Sequence, residues 1–266
     1  MVEVRPSIRP LVPHGHSGTA ERGSKPTAIR VVGIGCHPGQ LTLEAREAIV
    51  GCDYVIAADK GSSADGGDDP LLALRRAICA DLDVELVAVP DPPRDRDDPA
   101  DYDGAVLDWH DARAAAYGSV LAQRPGTVGF LVWGDPAFYD STIRVVERLG
   151  VPYDVLPGVS ALSLLAARHR VVLHEVGRPV LVTTGRRLAI EVDAGHDNLV
   201  VMLDGRLQAT SLDGDWDIWW GANLGSPHEE LVAGRLADVV DEVRAARARA
   251  KAADGWVMDT YLLRRP

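Results

Sequence analysis

The chain has 266 residues, a formal net charge of −11 and an apolar fraction of 46%. This length allows a large core in one or two domains, and the negative charge argues against broad binding to nucleic acid or membranes. No apolar run reaches the roughly 20 residues that a bilayer-spanning helix needs. Its three cysteines are an odd number, and no pair has the spacing of metal ligands. We therefore expect no metal and no disulfide framework, and a reduced, cytoplasmic location.

The first half of the chain predicts strands that alternate with helices. Residues 1–27 have no apolar period and are expected to be a flexible extension. An N-terminal α/β domain is then predicted over 28–150, with a parallel sheet covered by helices on its faces. The predicted strands are 29–35, 54–58, 84–89 and 127–133, and the predicted helices are 42–50, 71–80, 103–123 and 141–149.

The second half, 151–266, is richer in strands and predicts a C-terminal α/β domain with a mixed sheet. Its amphipathic segment from Leu231 to Lys251 has apolar residues at helical spacing and predicts one long helix. The predicted strands are 153–156, 171–173, 180–183, 198–203, 215–220 and 256–263, and a further helix is predicted over 161–168.

Loops rich in Gly and Pro end several of the predicted strands. Gly134-Asp135-Pro136 stops a buried strand abruptly, and in open α/β sheets ligands bind at this carboxyl edge. Gly33-Ile-Gly35 could begin a dinucleotide fingerprint, with Asp59 as its acidic ribose ligand. Pro38, however, stands where the third glycine of that fingerprint belongs. A nicotinamide-dependent oxidoreductase is therefore the weaker alternative.

Several polar side chains lie where either a structural or a functional role is possible. Asp59-Lys60 directly follows a buried strand, so an ion pair and a substrate contact remain equally open. Ser160 is typical of a helix N-cap, and no His lies at a motif position that would activate it as a nucleophile. Met202 ends a buried run and indicates a core position, while Arg113 could stack on Trp109 or bind a carboxylate.

In their order along the chain, the strand-end loops resemble those of the tetrapyrrole methylase family of S-adenosylmethionine-dependent methyltransferases. The segments that carry the resemblance are Val32–Leu43, Trp133–Pro136, Pro157–Ala161, Val200–Met202 and Gly221–Gly225. The resemblance implies two α/β domains with the active site in the cleft between them, in a homodimer. It implies that S-adenosylmethionine is lined by Pro38, Trp133, Gly134, Asp135, Phe138, Ser160, Ala161, Met202, Asn223, Leu224 and Gly225.

The implied reaction methylates C-1 of the precorrin-5 macrocycle and releases an acetyl group as acetate. Asp59 or Tyr139 is the candidate for the water-handling residue in acetate release. Because the substrate carries several carboxylates, we expect Lys60, Arg113 and one of Arg75 or Arg76 to bind it. A methyltransferase of the same fold that acts on another precorrin position or another acceptor is the nearer alternative.

Overall fold

Two five-stranded β-sheets organise the protein. The computed structural model describes residues 27–61, 69–93, 102–212 and 214–266. The predicted extension over 1–27 lies outside the described residues except for Thr27. In the described part of the chain, no helix is both long and apolar enough to cross a lipid bilayer.

The first sheet is entirely parallel, as the alternating pattern predicted, and has the strand order β3-β2-β4-β1-β5. Its strands are β1 (Ala28–Gly33), β2 (Tyr54–Asp59), β3 (Leu86–Pro90), β4 (Thr127–Val132) and β5 (Tyr153–Leu156). Its connecting helices are α1 (Leu43–Val50), α2 (Pro70–Asp81), α3 (Tyr102–Gln123) and α4 (Thr142–Glu147). Parallel pairing brings the loops after β1, β4 and β5 to one edge of the sheet.

The second sheet is mixed, as predicted, and has the strand order β6-β7-β10-β8-β9. Its strands are β6 (Leu181–Thr184), β7 (Asn198–Met202), β8 (Asp217–Ala222), β9 (Glu230–Arg235) and β10 (Asp259–Arg264). The helices of this half are α5 (Ala161–His169), α6 (Leu188–Asp193) and α7 (Leu236–Asp254). Only β6 and β7 pair in parallel among these neighbours, and β10 lies antiparallel to both β7 and β8.

Strand β5 belongs to the first sheet, although the predicted domain boundary at 150/151 assigns it to the second domain. Its residues pair in parallel with β1, from Ile29 opposite Tyr153 to Val32 opposite Leu156. The sequence pattern marks the strand but does not specify its partner, because pairing is decided by tertiary contacts. We therefore propose that the domains divide after Leu156, in the loop that leads to α5.

Two predicted elements are wrong. Residues 231–235 form most of β9 and pair with β8, so the long C-terminal helix begins at Leu236 and not at Leu231. The apolar residue Val232 satisfies a strand pattern and a helix pattern equally. Residues 171–173 form no strand, and two of their carbonyl groups accept side-chain hydrogen bonds instead: Arg264 donates to Val172 O and Asn198 donates to Leu173 O.

An apolar cluster built from both halves of the chain connects the two sheets. Cys36, from the loop after β1, packs with Leu162 and Leu165 of α5 and with Val200 and Leu262 of the second sheet. The second sheet also packs α7 against a separate core in which Trp216, Trp220 and Tyr261 are fully buried. The apolar cluster around Cys36 therefore forms the base of the cleft between the sheets, and the loops at the sheet edge form its walls.

Candidate functional site

Three loops at the carboxyl edge of the first sheet are joined through backbone contacts. Gly35 and Gly134 form a two-way antiparallel bridge, with N···O distances of 3.1 and 2.8 Å. Gly134 has a φ of +73°, a conformation that favours glycine. Asp135 accepts hydrogen bonds from the backbone N–H of Ala137 at 2.8 Å and of Gly158 at 2.9 Å. These contacts fix the turn after β4 in position.

The glycines of these loops pack without room for a side chain. A Cβ on Gly158 would overlap Gly134 O, and a Cβ on Gly33 would lie 2.8 Å from the Gly158 Cα. Both positions therefore require glycine, because the backbones of the neighbouring loops lie too close to leave room for a Cβ atom. The consequence is that the loops after β1, β4 and β5 pack backbone against backbone.

Helix α5 begins at this wall. The Ser160 side chain caps it by accepting a hydrogen bond from Ser163 N at 3.2 Å, as the sequence predicted for an N-cap. Ser160 is buried, and no imidazole contacts its hydroxyl among the described residues. Its hydroxyl is therefore engaged in helix capping.

The second sheet contributes the opposite wall. Met202 ends β7, and Leu203 follows it with a left-handed backbone (φ +55°) and a half-exposed side chain. Leu224 comes from the loop after β8, Met258 directly precedes β10, and Thr260 lies within β10. This wall is largely apolar and is suited to a flat or aliphatic group.

A cavity of about 220 Å³ lies between these walls. It brings together eight of the predicted cofactor residues, namely Trp133, Gly134, Asp135, Phe138, Ser160, Ala161, Met202 and Leu224. It is also lined by residues that were not predicted for the cofactor, namely Cys36, Leu71, Arg75, Tyr139, Asp140, Leu203, Met258, Asp259 and Thr260. The aromatic edge of the cavity includes Trp133, whose ring meets that of Trp256 edge-on at 5.4 Å.

Three predicted cofactor residues do not line this cavity. Pro38 is exposed in a short 3-10 turn, Pro38–Gln40, and α1 begins only at Leu43. This geometry also lacks the helix N-terminus that a dinucleotide fingerprint places after its glycines. Gly225 instead packs against the loop after β1, since a Cβ there would lie 2.5 Å from Cys36 O.

The third such residue, Asn223, faces the loop that leads into β10. It is fully buried with a φ of +49°. Its Oδ1 accepts from Met258 N at 2.9 Å, and its Nδ2 donates to Asp254 at 2.8 Å and to Trp256 O at 3.3 Å. Asn223 thus fixes the position of Met258, which lines the cavity, and does not itself line the cavity.

A second cavity of about 340 Å³ adjoins the first, with Leu71, Arg75, Tyr139 and Asp140 lining both. The predicted substrate residues Lys60 and Arg113 line it together with Arg75, and Arg76 is exposed outside it. Arg113 is partly buried, donates to Asp91 at 2.7 Å and stacks on the Trp109 ring at 4.1 Å. Three cationic side chains therefore face one cavity in a chain of negative net charge.

The two predicted catalytic residues are separated. Tyr139 lines both cavities and has a left-handed backbone with φ +51°. Burial raises the pKa of its hydroxyl, which Arg187 opposes and Glu191 reinforces, so the phenol is protonated at neutral pH. Asp59 lies at the end of β2, accepts a hydrogen bond from Gly61 N at 2.9 Å and is not among the residues that line these cavities.

Two residues of the first cavity that the sequence pattern did not single out have clearly shifted pKa values, namely Cys36 and Asp259. Burial raises the pKa of the Cys36 thiol to about 12, so it is a neutral wall group and not a nucleophile. Burial also raises the pKa of the Asp259 carboxyl to about 6, against the effect of Arg247, which donates to it at 3.0 Å. Cys36 stands within a glycine-rich loop, a signal for proximity to the site, whereas nothing local distinguishes Asp259.

The sequence model of the protein family Tetrapyrrole (Corrin/Porphyrin) Methylases matches residues 28–240 of this chain. The chain belongs to the tetrapyrrole methylase family. The match covers the whole first sheet and every strand of the second sheet except β10, so the two-domain fold with a cleft is that of the family, as the sequence predicted.

Relatives of the tetrapyrrole methylase family support this assignment. A precorrin-6A synthase [deacetylating] from Sinorhizobium sp. is 40% identical over 261 residues, which cover 92% of this chain and 97% of the relative. The crystal structure of a cobalamin synthesis related protein (CobF) from Corynebacterium diphtheriae has a TM-score of 0.76 and 32% identity, and the match covers 90% of this chain and 99% of that one.

A more distant solved structure shares the fold alone. Uroporphyrin-III-C-methyltransferase from Thermus thermophilus has a TM-score of 0.57 at 20% identity, with 89% of this chain and 91% of that chain covered. The cleft architecture therefore persists where most of the sequence has diverged.

Proposed function

We propose that this tetrapyrrole methylase transfers a methyl group from S-adenosylmethionine to C-1 of precorrin-5 and releases acetate, to give precorrin-6A in cobalamin biosynthesis. The observation that carries the proposal is the 40% identity to a precorrin-6A synthase [deacetylating] over nearly the whole length of both chains. The two joined cavities support it, because one is largely apolar while the other is rich in cationic side chains.

The residues of the first cavity fit S-adenosylmethionine. Met202, Leu203 and Leu224 offer an apolar slot for its adenine, and the Gly134–Asp135 turn and the start of α5 offer backbone groups for its polar atoms. No cation except Arg75 lines this cavity among the described residues, which suits a ligand with a sulfonium. When bound, the cofactor supplies an electrophilic methyl group.

The second cavity fits the acidic edge of a macrocycle. In this proposal Lys60 and Arg113 face substrate carboxylates, and Trp109 presents an aromatic surface. Asp91 fixes the Arg113 guanidinium in one orientation through its ion pair. The protein contribution to methyl transfer is then mainly the alignment of the acceptor carbon and the exclusion of water.

Acetate release requires a water molecule that adds its oxygen to the acetyl carbonyl while the bond from that carbon to the ring breaks. The bonding electrons return to the macrocycle, the second proton of the water passes to solvent, and the acyl group leaves as acetic acid, which ionises to acetate. We assign to Tyr139 the hydrogen bond that orients this water or the carbonyl oxygen, because its protonated phenol lines both cavities.

We further propose that the enzyme works in the cytoplasm as a homodimer, with no nucleic acid or membrane partner. The three cysteines are buried free thiols, as in proteins of reducing compartments. The edge strand β5 exposes Tyr153 and Val155, a surface that a second copy of the chain could cover. Light scattering on a size-exclusion column measures the mass of the assembly directly.

The experiment that tests the function is a reaction with enzymatically prepared precorrin-5 and S-adenosylmethionine, in which S-adenosylhomocysteine and acetate are both counted. Equal yields of the two products support methyl transfer coupled to deacylation. S-adenosylhomocysteine without acetate would retain the methyltransferase and refute the deacylating reaction. A folded protein that binds the cofactor product but yields neither compound would show that the methyl acceptor is different.

A further inference from the structure

Arg75 occupies the boundary between the two cavities. It projects from α2, and its Nε donates a hydrogen bond to Leu131 O at 2.8 Å. Leu131 belongs to β4, the strand that leads directly into the Trp133–Asp135 turn of the cleft wall. The guanidinium is therefore anchored at one nitrogen and lines both cavities.

The two remaining nitrogens of this guanidinium lack an ion-pair partner within the described ranges 27–61, 69–93, 102–212 and 214–266. Arg113 has Asp91 as its carboxylate, whereas Arg75 forms no ion pair among these residues. Burial lowers the pKa of Arg75; Asp69 and Asp140 act in the opposite direction, and Arg113 lowers it further. The guanidinium nonetheless stays charged at neutral pH, because an arginine is effectively always protonated.

A partly buried guanidinium whose terminal N–H groups face a cavity is stabilised when an anion in that cavity accepts hydrogen bonds from them. Its planar fork matches a carboxylate in a bidentate pair. The neighbouring Arg76 is exposed and would gain far less from such an anion. The unused nitrogens and their position at the boundary thus indicate a carboxylate site.

Resting on the proposed function, we propose that Arg75 binds a carboxylate of the tetrapyrrole substrate and holds the macrocycle across the two cavities. Both the substrate and the amino-acid end of the cofactor carry carboxylates. The cationic second cavity, which Arg75 shares with Lys60 and Arg113, favours the substrate. Arg75 is thus a specificity-determining residue, and the structure selects it over Arg76.

The test compares Arg75→Gln with the matched variant Arg76→Gln, one position along the same helix. We expect Arg75→Gln to raise KM for precorrin-5 by about tenfold to a hundredfold, with S-adenosylhomocysteine affinity within about twofold of wild type. Arg76→Gln should leave both values unchanged. Arg75→Lys, which keeps the charge but loses the fork, should recover part of the affinity. Circular dichroism and thermal melting establish that each variant is folded.

Two outcomes would overturn the assignment. Equal KM values for Arg75→Gln and wild type would show that no substrate carboxylate binds there. A loss of S-adenosylhomocysteine affinity as large as the rise in KM would assign the carboxylate to the cofactor.

Measurements on the wild-type protein distinguish a failure of this inference from a failure of the proposed function. If wild type binds S-adenosylhomocysteine but leaves precorrin-5 unchanged, the function is wrong. The carboxylate site is then tested by the quenching of tryptophan fluorescence by a stable polycarboxylate porphyrin. Weaker binding to Arg75→Gln than to Arg76→Gln would support the inference, and equal binding would refute it.

Discussion

The Oδ2 atom of Asp135 accepts a hydrogen bond from the backbone N–H of Gly158 at 2.9 Å and joins the turn after β4 to the segment that begins α5. Its other oxygen accepts from Ala137 N, so the carboxylate is already occupied on both sides by backbone groups. Asp135 therefore shapes the cavity that it lines. Its conformational role follows from the acceptor capacity of an ionised carboxylate, which an amide has only in part.

Asp135→Asn should lower the free energy of unfolding by about 1–3 kcal/mol, because the amide cannot accept from both Ala137 N and Gly158 N. We also expect S-adenosylhomocysteine affinity to fall by about tenfold or more, as measured by calorimetry. Asp53→Asn is the matched control, since Asp53 accepts from Thr127 N at 2.7 Å at the far edge of the sheet. That variant should keep its affinity; equal losses of affinity in both would contradict a local role for Asp135.

Gly158→Ala should destabilise the protein by about 2–3 kcal/mol or more, because its Cβ would overlap Gly134 O and no flexible side chain can yield. Urea unfolding measures the change. Gly118→Ala is the control: in helix α3 the added Cβ would meet only Leu149 at 3.7 Å. We expect that variant to be neutral or more stable by about 0.5–1 kcal/mol. A Gly158→Ala protein of wild-type stability would show that the loops are not closely packed.

Asn223 should affect the cavity through the loop that it holds. Asn223→Gly removes the bonds to Met258, Asp254 and Trp256 but tolerates the φ of +49°, whereas Asn223→Ala loses the bonds and strains the backbone. Both variants should bind S-adenosylhomocysteine about tenfold more weakly. Asn223→Ala should be less stable than Asn223→Gly by about 1 kcal/mol. Unchanged affinity in both variants would remove Asn223 from the site.

The hydroxyl of Tyr139 should be needed for acetate release. Tyr139 is the one residue of the two cavity walls to which we assign this role. We expect Tyr139→Phe to slow the formation of acetate by about tenfold to a hundredfold while S-adenosylhomocysteine affinity stays near wild type. Asp59→Asn should leave turnover unchanged, because Asp59 is not among the residues lining the two cavities. Single-turnover kinetics that follow both products would distinguish the two residues, and the reverse pattern would restore Asp59 as the candidate.

Asp259 should make stability depend on pH in a defined window. The pKa of its carboxyl is raised to about 6 in the folded protein from 3.8, so the folded state binds this proton more tightly than the unfolded state does. The free energy of unfolding should therefore fall as pH rises from about 4 to about 6, by up to about 1.4 kcal/mol per pH unit from this group.

The measurement for Asp259 compares wild type with Asp259→Asn across that window. The stability of wild type relative to the variant should decrease between pH about 4 and about 6 and become constant above about 7. Urea unfolding at several pH values gives the difference. Curves that stay parallel over the whole range would show that Asp259 has an ordinary pKa in the folded protein.

Local sequence determined much of this protein. The apolar runs and helical periods predicted most strands and helices of the first sheet, and Gly134-Asp135-Pro136 marked the edge at which the cavity lies. These features are predictable because a residue's effect on its own φ and on the next few residues is local. The order of the strand-end loops was enough to indicate the family.

Other features were decided by tertiary structure alone. The pairing of β5 with β1 and of β9 with β8 depends on partners that are distant in the chain, and the same apolar residues suit a strand or a helix. Asn223 is of a residue type that often binds ligands, yet its amide donates to Asp254 and Trp256, which belong to the segment that leads into β10. Arg75 and Arg76 are equivalent in the sequence. Only the docking of α2 against β2 and β3 directs Arg75 toward both cavities, because burial of a side chain depends on which face of a helix meets the sheet.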